Sequence, residues 1–426
     1  MKLVSKAALG AALAFGSLSL TIAMPAYAKD KKPKEAPKAE GFKLNITKEL
    51  QSKMNPAIAA YKAKDWNALK AEVATLEPLA TTPDDKYQVN DLKLSAGIGL
   101  NDTLMQSQAV DGMMATGLVQ PDRIAQYHYF SGKWAYERKE YPRAETEFKA
   151  AAAAGMNTSD LHLNLARLYA DAKRPAEASA TMAKAAAAEK AAGKTVPESW
   201  YNFGFTQAFN ARSMPEFVQW STGMLRDYPS ADYWRVLLQN YRALQRNIDK
   251  ANMPSAINID LYRLMKASGA LAGEDDVFDY AYAANEAGLP LEAKGVLDGW
   301  KASGKALNAD MTELNGKVAV RAAGDQKALA GVSGTSSDVA DAVLVIGAGD
   351  YAKAATIYQG VIAKGGMKDA DETQMRYGIA LALSGQKDAA KAAFQAVKGQ
   401  RANLAQYWIV FVDVPPQAAK PLTTGQ

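Results

Sequence analysis

The residues best equipped for chemistry in this 426-residue chain are His128, His162, a Gly-Ala-Gly turn at 347–349 and a Ser-x-x-Lys quartet at 384–387. Two imidazoles could hold a transition metal or work as an acid–base pair. The stretch "VLVIGAGDYAKAA" (343–355) could be a buried strand entering a dinucleotide-binding turn. Ser-x-x-Lys could supply a lysine-activated serine nucleophile. Each possibility needs companions. The chain has no cysteine and only two histidines, and no clustered Asp/Glu spacing completes a metal shell, so no metal is expected. Ser384 has neither a Ser-Asp-Asn nor a Lys-Thr-Gly box, and "GVSG" (331–334) lacks Gly-x-Ser-x-Gly spacing. The acids Asp84–Asp85, Asp275–Asp276 and Asp369/Asp371/Glu372 stand where helices begin, and there they satisfy free backbone N–H groups. No catalytic residue and no cofactor follow, and a nucleotide-cofactor enzyme built on 347–349 stays as an alternative.

The elements that carry these residues repeat. His128 and His162 are 34 apart (162 − 128), and Trp200 and Trp234 are again 34 apart (234 − 200). Laying the first segment on the second places His128, Gly132 and Ala144 on His162, Ala166 and Ala178. The histidines therefore share the phase held by Trp200 and Trp234, where a ring packs between units rather than binding a metal. Small residues at Gly132, Ala166, Gly204, Ala144 and Ala178 let two helices of one unit approach closely. One such unit cannot bury its apolar faces alone, so units must stack. The pattern resembles the tetratricopeptide repeat, most fully in "HLNLARLY" (162–169), "WYNFG" (200–204) and "WRVLLQNY" (234–241). That resemblance implies an all-α solenoid: a right-handed superhelix of antiparallel helix pairs.

Phasing outward finds further units at 63–76, 84–121, 276–300 and 376–397, with Ala293, Gly385 and Ala390 in their expected places. Gly349, Tyr351 and Ala354 fall on the same turn and second helix, which argues against a cofactor turn at 347–349. The expected organisation is an N-terminal array over 45–304, a divergent hinge region at 305–336 and C-terminal repeats over 337–412. "ANLAQYWIVFV" (402–412) reads as a capping helix or a short strand.

The ends read differently. Lys2 and Lys6 precede an apolar, small-residue run closed by Ala26-x-Ala28, the pattern of an export signal cleaved before Lys29. A retained anchor is the alternative, because the run is marginal for spanning a bilayer. Periplasmic localisation is expected, with secretion as a variant and no stable membrane insertion after cleavage. Residues 29–44 read as a disordered Lys/Pro/Glu linker and 413–426 as a disordered tail. Without Lys2 and Lys6 the formal charge falls from +5 to +3, too near neutral to suggest nucleic acid.

The remaining candidate site is a groove. In the family that the pattern resembles, first-helix residues one, five and eight places after the leading large residue line the concave face. The residues so placed include Tyr129, Lys133, Tyr136 and Arg167, then Tyr201, Phe205, Arg235, Gln239 and Arg242. Aromatics interleaved with cations suit an extended peptide of acidic or carboxylate character. A solvated face whose aromatics touch neighbouring units is the alternative. The expected function is thus a non-enzymatic periplasmic scaffold or adaptor binding a protein or extended peptide. A self-associating structural part of a cell-envelope or polysaccharide-export complex is the second reading.

Overall fold

The computed structural model describes residues 43–248, 255–271 and 273–416, without the side chains of 255–257. The expected export segment, nearly all of the linker and residues 417–426 lie outside the described residues. The chain is all-helical; no strand occurs among the described residues. It divides into two compact units between Ala172 and Lys173, inside the span that the sequence reads as one array. The first holds α1 (Lys48–Lys53), α2 (Asn55–Ala63), α3 (Trp66–Leu76), α4 (Pro83–Gly99), α5 (Thr103–Ala115), α6 (Pro121–Glu137), α7 (Tyr141–Ala153) and α8 (Ser159–Asp171). The second begins with α9 (Pro175–Ala191), α10 (Glu198–Asn210), α11 (Met214–Asp227), α12 (Ala231–Ile248) and α13 (Ser255–Ala267). It continues through α14 (Glu274–Glu286), α15 (Pro290–Ala302), α16 (Ala309–Gly331), α17 (Val339–Gly347), α18 (Tyr351–Lys364), α19 (Ala370–Leu383), α20 (Lys387–Ala396) and α21 (Ala402–Asp413).

One turn recurs along the chain. Lys64, Asn101, Lys139, Lys173, Arg212, Gly288, Gly349 and Gly385 are all left-handed, with φ between 54° and 84°. Each stands two residues before the start of a helix. In seven of these turns, Lys173 aside, the left-handed residue's N–H bonds a carbonyl three residues back. The next N–H there bonds one five back, as in Asp65 to Ala60, Glu140 to Ala135 and Asp350 to Val345. That paired closure satisfies carbonyls at the end of the first helix. In seven of the eight the second helix then starts on a capping aspartate (Asp65, Asp102 or Asp350) or on an early proline (α7, α9, α11 and α15), while α20 starts on Gln386 with neither.

A second regularity sets how closely the paired helices pack. Gly132, Gly204 and Gly378 each lie against the ring of Phe148, Trp220 or Phe394 on the following helix. The spacing is 16 residues every time (148 − 132, 220 − 204, 394 − 378). A Cβ added at these glycines would sit 2.7, 2.2 and 2.6 Å from the ring, closer than any side chain tolerates. Ala281 and Leu297, both fully buried, hold the same spacing in α14 and α15.

The stretch 343–355 corrects the dinucleotide reading. Val343 to Ile346 belong to helix α17, Gly349 is the left-handed closing residue, and Asp350 caps α18 by accepting from the Lys353 N–H. The strand that a nucleotide turn requires is absent, because burial of Ala342, Val345 and Ile346 on one helical face overrides β propensity. Residues 305–336 are mostly one 23-residue helix, α16, which seats Met311, Leu314, Val318 and Ala322 on α14 and α15.

The second unit also closes on itself. Helix α21 is buried on nearly every side, at Leu404, Ala405, Tyr407, Trp408, Ile409, Val410 and Val412. It packs along α11 and α20, with the Tyr407 ring on Tyr241 (5.4 Å) and its hydroxyl on Ser221, while Phe411 meets Trp234 (6.2 Å). A helix apolar all round has to be enclosed, so α21 is a core element rather than a cap.

Two predictions test this account. Gly378→Ala should cost about 2 kcal/mol through overpacking, measured by urea denaturation, and adding Phe394→Leu should recover part of the loss. Non-additivity of the pair is the decisive outcome. The second concerns Asp85, whose carboxylate accepts the Thr47 N–H (2.8 Å) and, in a capping box, the Thr82 N–H (3.3 Å). Burial pushes this carboxyl up, but those backbone N–H groups hold it below the usual aspartate value. A depressed folded pKa means stability present above the unfolded value and lost as pH falls through the folded one. Asp85→Asn should therefore cost about 1 kcal/mol at pH 7 and progressively less below about pH 4, read as hydrogen exchange in α1 and α4.

Candidate functional site

In the first unit, the candidate groove residues on α6 and α8 form one continuous face. Tyr129, Lys133, Tyr136 and Arg167 are all half-buried. Asn164 of α8 donates to the Tyr129 hydroxyl (3.0 Å), and the Tyr136 hydroxyl donates to Asp171 (2.5 Å), so two rungs tie the helices. The Lys133 ammonium lies 5.8 Å from the Tyr129 ring centre and 6.0 Å from that of Phe130. Among the described residues it has no carboxylate partner. Burial pushes the Tyr129 phenol up to about 12, with Asp160 adding to the shift. Tyr136 is also raised, by burial and then by its bond to Asp171. Both hydroxyls therefore stay protonated at neutral pH. The face offers π surfaces and one ammonium, a set that favours ligands with negative charge.

The candidates of the second unit are dispersed. Tyr201 is buried, its hydroxyl on Asp227 and its ring edge-on to Trp220 (6.0 Å). Phe205 packs on Phe217 (6.0 Å). Arg242 pairs with Asp279 (2.6 Å) and lies 5.0 Å from the Tyr262 ring centre. Arg235 and Gln239 are exposed on α12. Three of the five thus serve internal packing, which follows from the first-helix position alone: it fixes a face, not what the next helix places against it.

The histidines have local partners. His128 Nδ1 lies 2.8 Å from Glu147 of α7, and His162 Nε2 lies 2.7 Å from Asn157. Trp200 and Trp234 are buried, as are Ala144, Ala166, Ala178, Ala293, Ala354 and Ala390, while Tyr351 is half-buried.

A buried ionic cluster in the second unit carries no sequence signal. Arg263 of α13 grips Glu292 of α15 through two bonds (2.8 and 2.6 Å) and Asp260 through a third (2.9 Å). Tyr280 donates to the same Glu292 (2.5 Å). Asp260, fully buried, also faces Arg376 of α19 (3.6 Å) and Arg401 (3.8 Å). Burial pushes the Asp260 carboxyl up against the pull of Arg376, Arg263 and Arg401. Burial also acts on Glu292, but Arg263 and Tyr280 hold it below its ordinary value. Arg376 and Arg401 lie more than 100 residues from Asp260 (376 − 260, 401 − 260), so periodicity could not have paired them with it.

No family model and no curated protein matches this chain. Among solved structures it is similar to the apo form of RapI, with 13% identity, 81% of this chain and 85% of that chain covered, and a TM-score of 0.23. It is also similar to the pentatricopeptide repeat protein PPR10 from maize, with 12% identity, 86% and 57% covered, and a TM-score of 0.25. Both likenesses are remote, and the recurring turn rests on this chain's own backbone. Among the described residues no helix is long and apolar enough to cross a membrane.

Removing one member of a buried ionic cluster strands the others. Asp260→Ala should cost about 3 kcal/mol or more and lower hydrogen-exchange protection together in α13, α19 and α21. Protection lost in α13 alone would show that Asp260 does not join these helices.

Proposed function

We propose that this chain is a non-enzymatic helical-repeat scaffold, acting in the periplasm, that takes an extended acidic peptide on the α6/α8 face. The observation that carries this reading is the joining of Tyr129, Lys133, Tyr136 and Arg167 into one half-buried face. Aromatic surface held in place before binding loses little conformational entropy when a partner docks. Lys133, poised over Tyr129, supplies charge without an internal carboxylate competing for it. The export reading of residues 1–28 supports the location, and the repeated hairpins support the scaffold role.

Phage-displayed random peptides selected on the immobilised chain test this. Peptides rich in Asp and Glu should be enriched, and Lys133→Glu with Arg167→Glu should weaken their binding at least tenfold. Recovery of neutral or basic peptides, or equal binding to the double variant, would refute the reading.

A further inference from the structure

A cleft of about 820 Å³ opens in the second unit between α17, α18, the start of α19 and Lys398. Its volume lies within the range of small-molecule sites. Val339 and Val343 form an apolar wall, and Tyr358, Lys368, Arg376 and Lys398 supply its polar donors.

The polar groups of the cleft divide sharply into engaged and unengaged. Asp369 accepts the Glu372 N–H (2.7 Å) and an Arg401 N–H (3.1 Å). Glu372 takes Arg376 on one oxygen (2.5 Å) and Arg401 on the other (2.7 Å). Asp371 accepts the Lys398 backbone N–H (2.9 Å). Formal charges along the wall cancel, Lys368, Arg376 and Lys398 against Asp369, Asp371 and Glu372, but the acids are already bonded. The donors other than Arg376 are not. Neither lysine ammonium has a carboxylate partner among the described residues. The Tyr358 hydroxyl is fully buried and has no hydrogen-bond partner, whereas Arg376 is held by Glu372 (2.5 Å) and faces Asp260 (3.6 Å). Burial pushes the Tyr358 phenol up to about 12, so it remains a donor at neutral pH. A buried hydroxyl left unbonded is destabilising, a cost that a ligand's acceptor oxygen would remove.

We propose that this cleft binds a small organic anion, its carboxylate or phosphate head on Lys368, Lys398 and the Tyr358 hydroxyl and its short apolar part on Val339 and Val343. This site lies in the second unit and stands independently of the peptide-binding face in the first. The apolar wall sets a preference for a short chain over a bare ion, and the unbonded donors set a preference for anion over cation.

Isothermal titration of the chain with hexanoate, hexyl phosphate, hexylammonium and inorganic phosphate tests the proposal. Hexanoate or hexyl phosphate should bind saturably, and the tighter of the two identifies the head group. Both hexylammonium and inorganic phosphate should bind at least tenfold more weakly than that probe. Lys368→Ala with Lys398→Ala should lower affinity at least tenfold. Tyr358→Phe should lower it severalfold while leaving the thermal midpoint unchanged or higher, because the hydroxyl has no internal bond to lose. A merely structural tyrosine would instead lower the midpoint without moving affinity. Absence of saturable binding by both hexyl anions, equal binding of hexylammonium, or a double variant that binds like the parent would overturn the proposal.

Discussion

The contact of an aromatic ring with the bare backbone of the preceding helix governs this architecture. At Gly132, Gly204 and Gly378 the missing side chain lets the first helix settle onto Phe148, Trp220 or Phe394. The constant 16-residue spacing means that turn length and helix register are fixed together. A longer turn would carry the ring past the glycine, and a different turn conformation would aim it elsewhere. This explains why the left-handed closing residue is kept even where lysine, asparagine or arginine must adopt it, at a cost of about 1 kcal/mol relative to glycine. The same contact shapes the candidate face. Tyr129, one helical turn before Gly132, touches the Phe148 ring (6.0 Å) and still reaches Asn164 with its hydroxyl.

In the second unit a different interaction joins elements that hairpin packing leaves apart. Asp260 faces guanidinium groups from α13, α19 and the residue just before α21. Burying such charges is expensive, and an apolar replacement of equal volume would often be as stable. What the cluster adds is specificity of docking. An apolar α21 could slide along α11, whereas Arg401, fixed between Asp369, Glu372 and Asp260, allows one position.

Much of the fold was legible because its signals are short-range. The 34-residue recurrence, the small residues at Gly132, Ala144 and Gly204, and the turn at Gly349 all express contacts within one helix pair. The five non-glycine left-handed residues were not legible, because lysine, asparagine and arginine announce no such conformation. The closure of the second unit escaped for another reason: Ser221 and Tyr407 are 186 residues apart, and repeats specify neighbours, not returns. Residues 343–346 invited a strand because β-branched side chains also fit a short helix with one buried face.

The candidate site was only half legible, and the division follows side-chain chemistry. Reading aromatics interleaved with cations treats arginine and lysine alike. In the structure Arg242, Arg263, Arg376 and Arg401 all hold internal carboxylates. Their planar, weakly hydrated fork makes several bonds at once and tolerates burial, whereas an ammonium retains water and moves freely on its stem. Lys133, Lys368 and Lys398 accordingly keep their charge toward open surface, beside Tyr129 in one case and the α17–α19 cleft in the others. In a helical array of this kind, an arginine beside an aromatic marks architecture as readily as binding. An unpaired lysine over a ring is the sharper sign of a surface kept for a ligand.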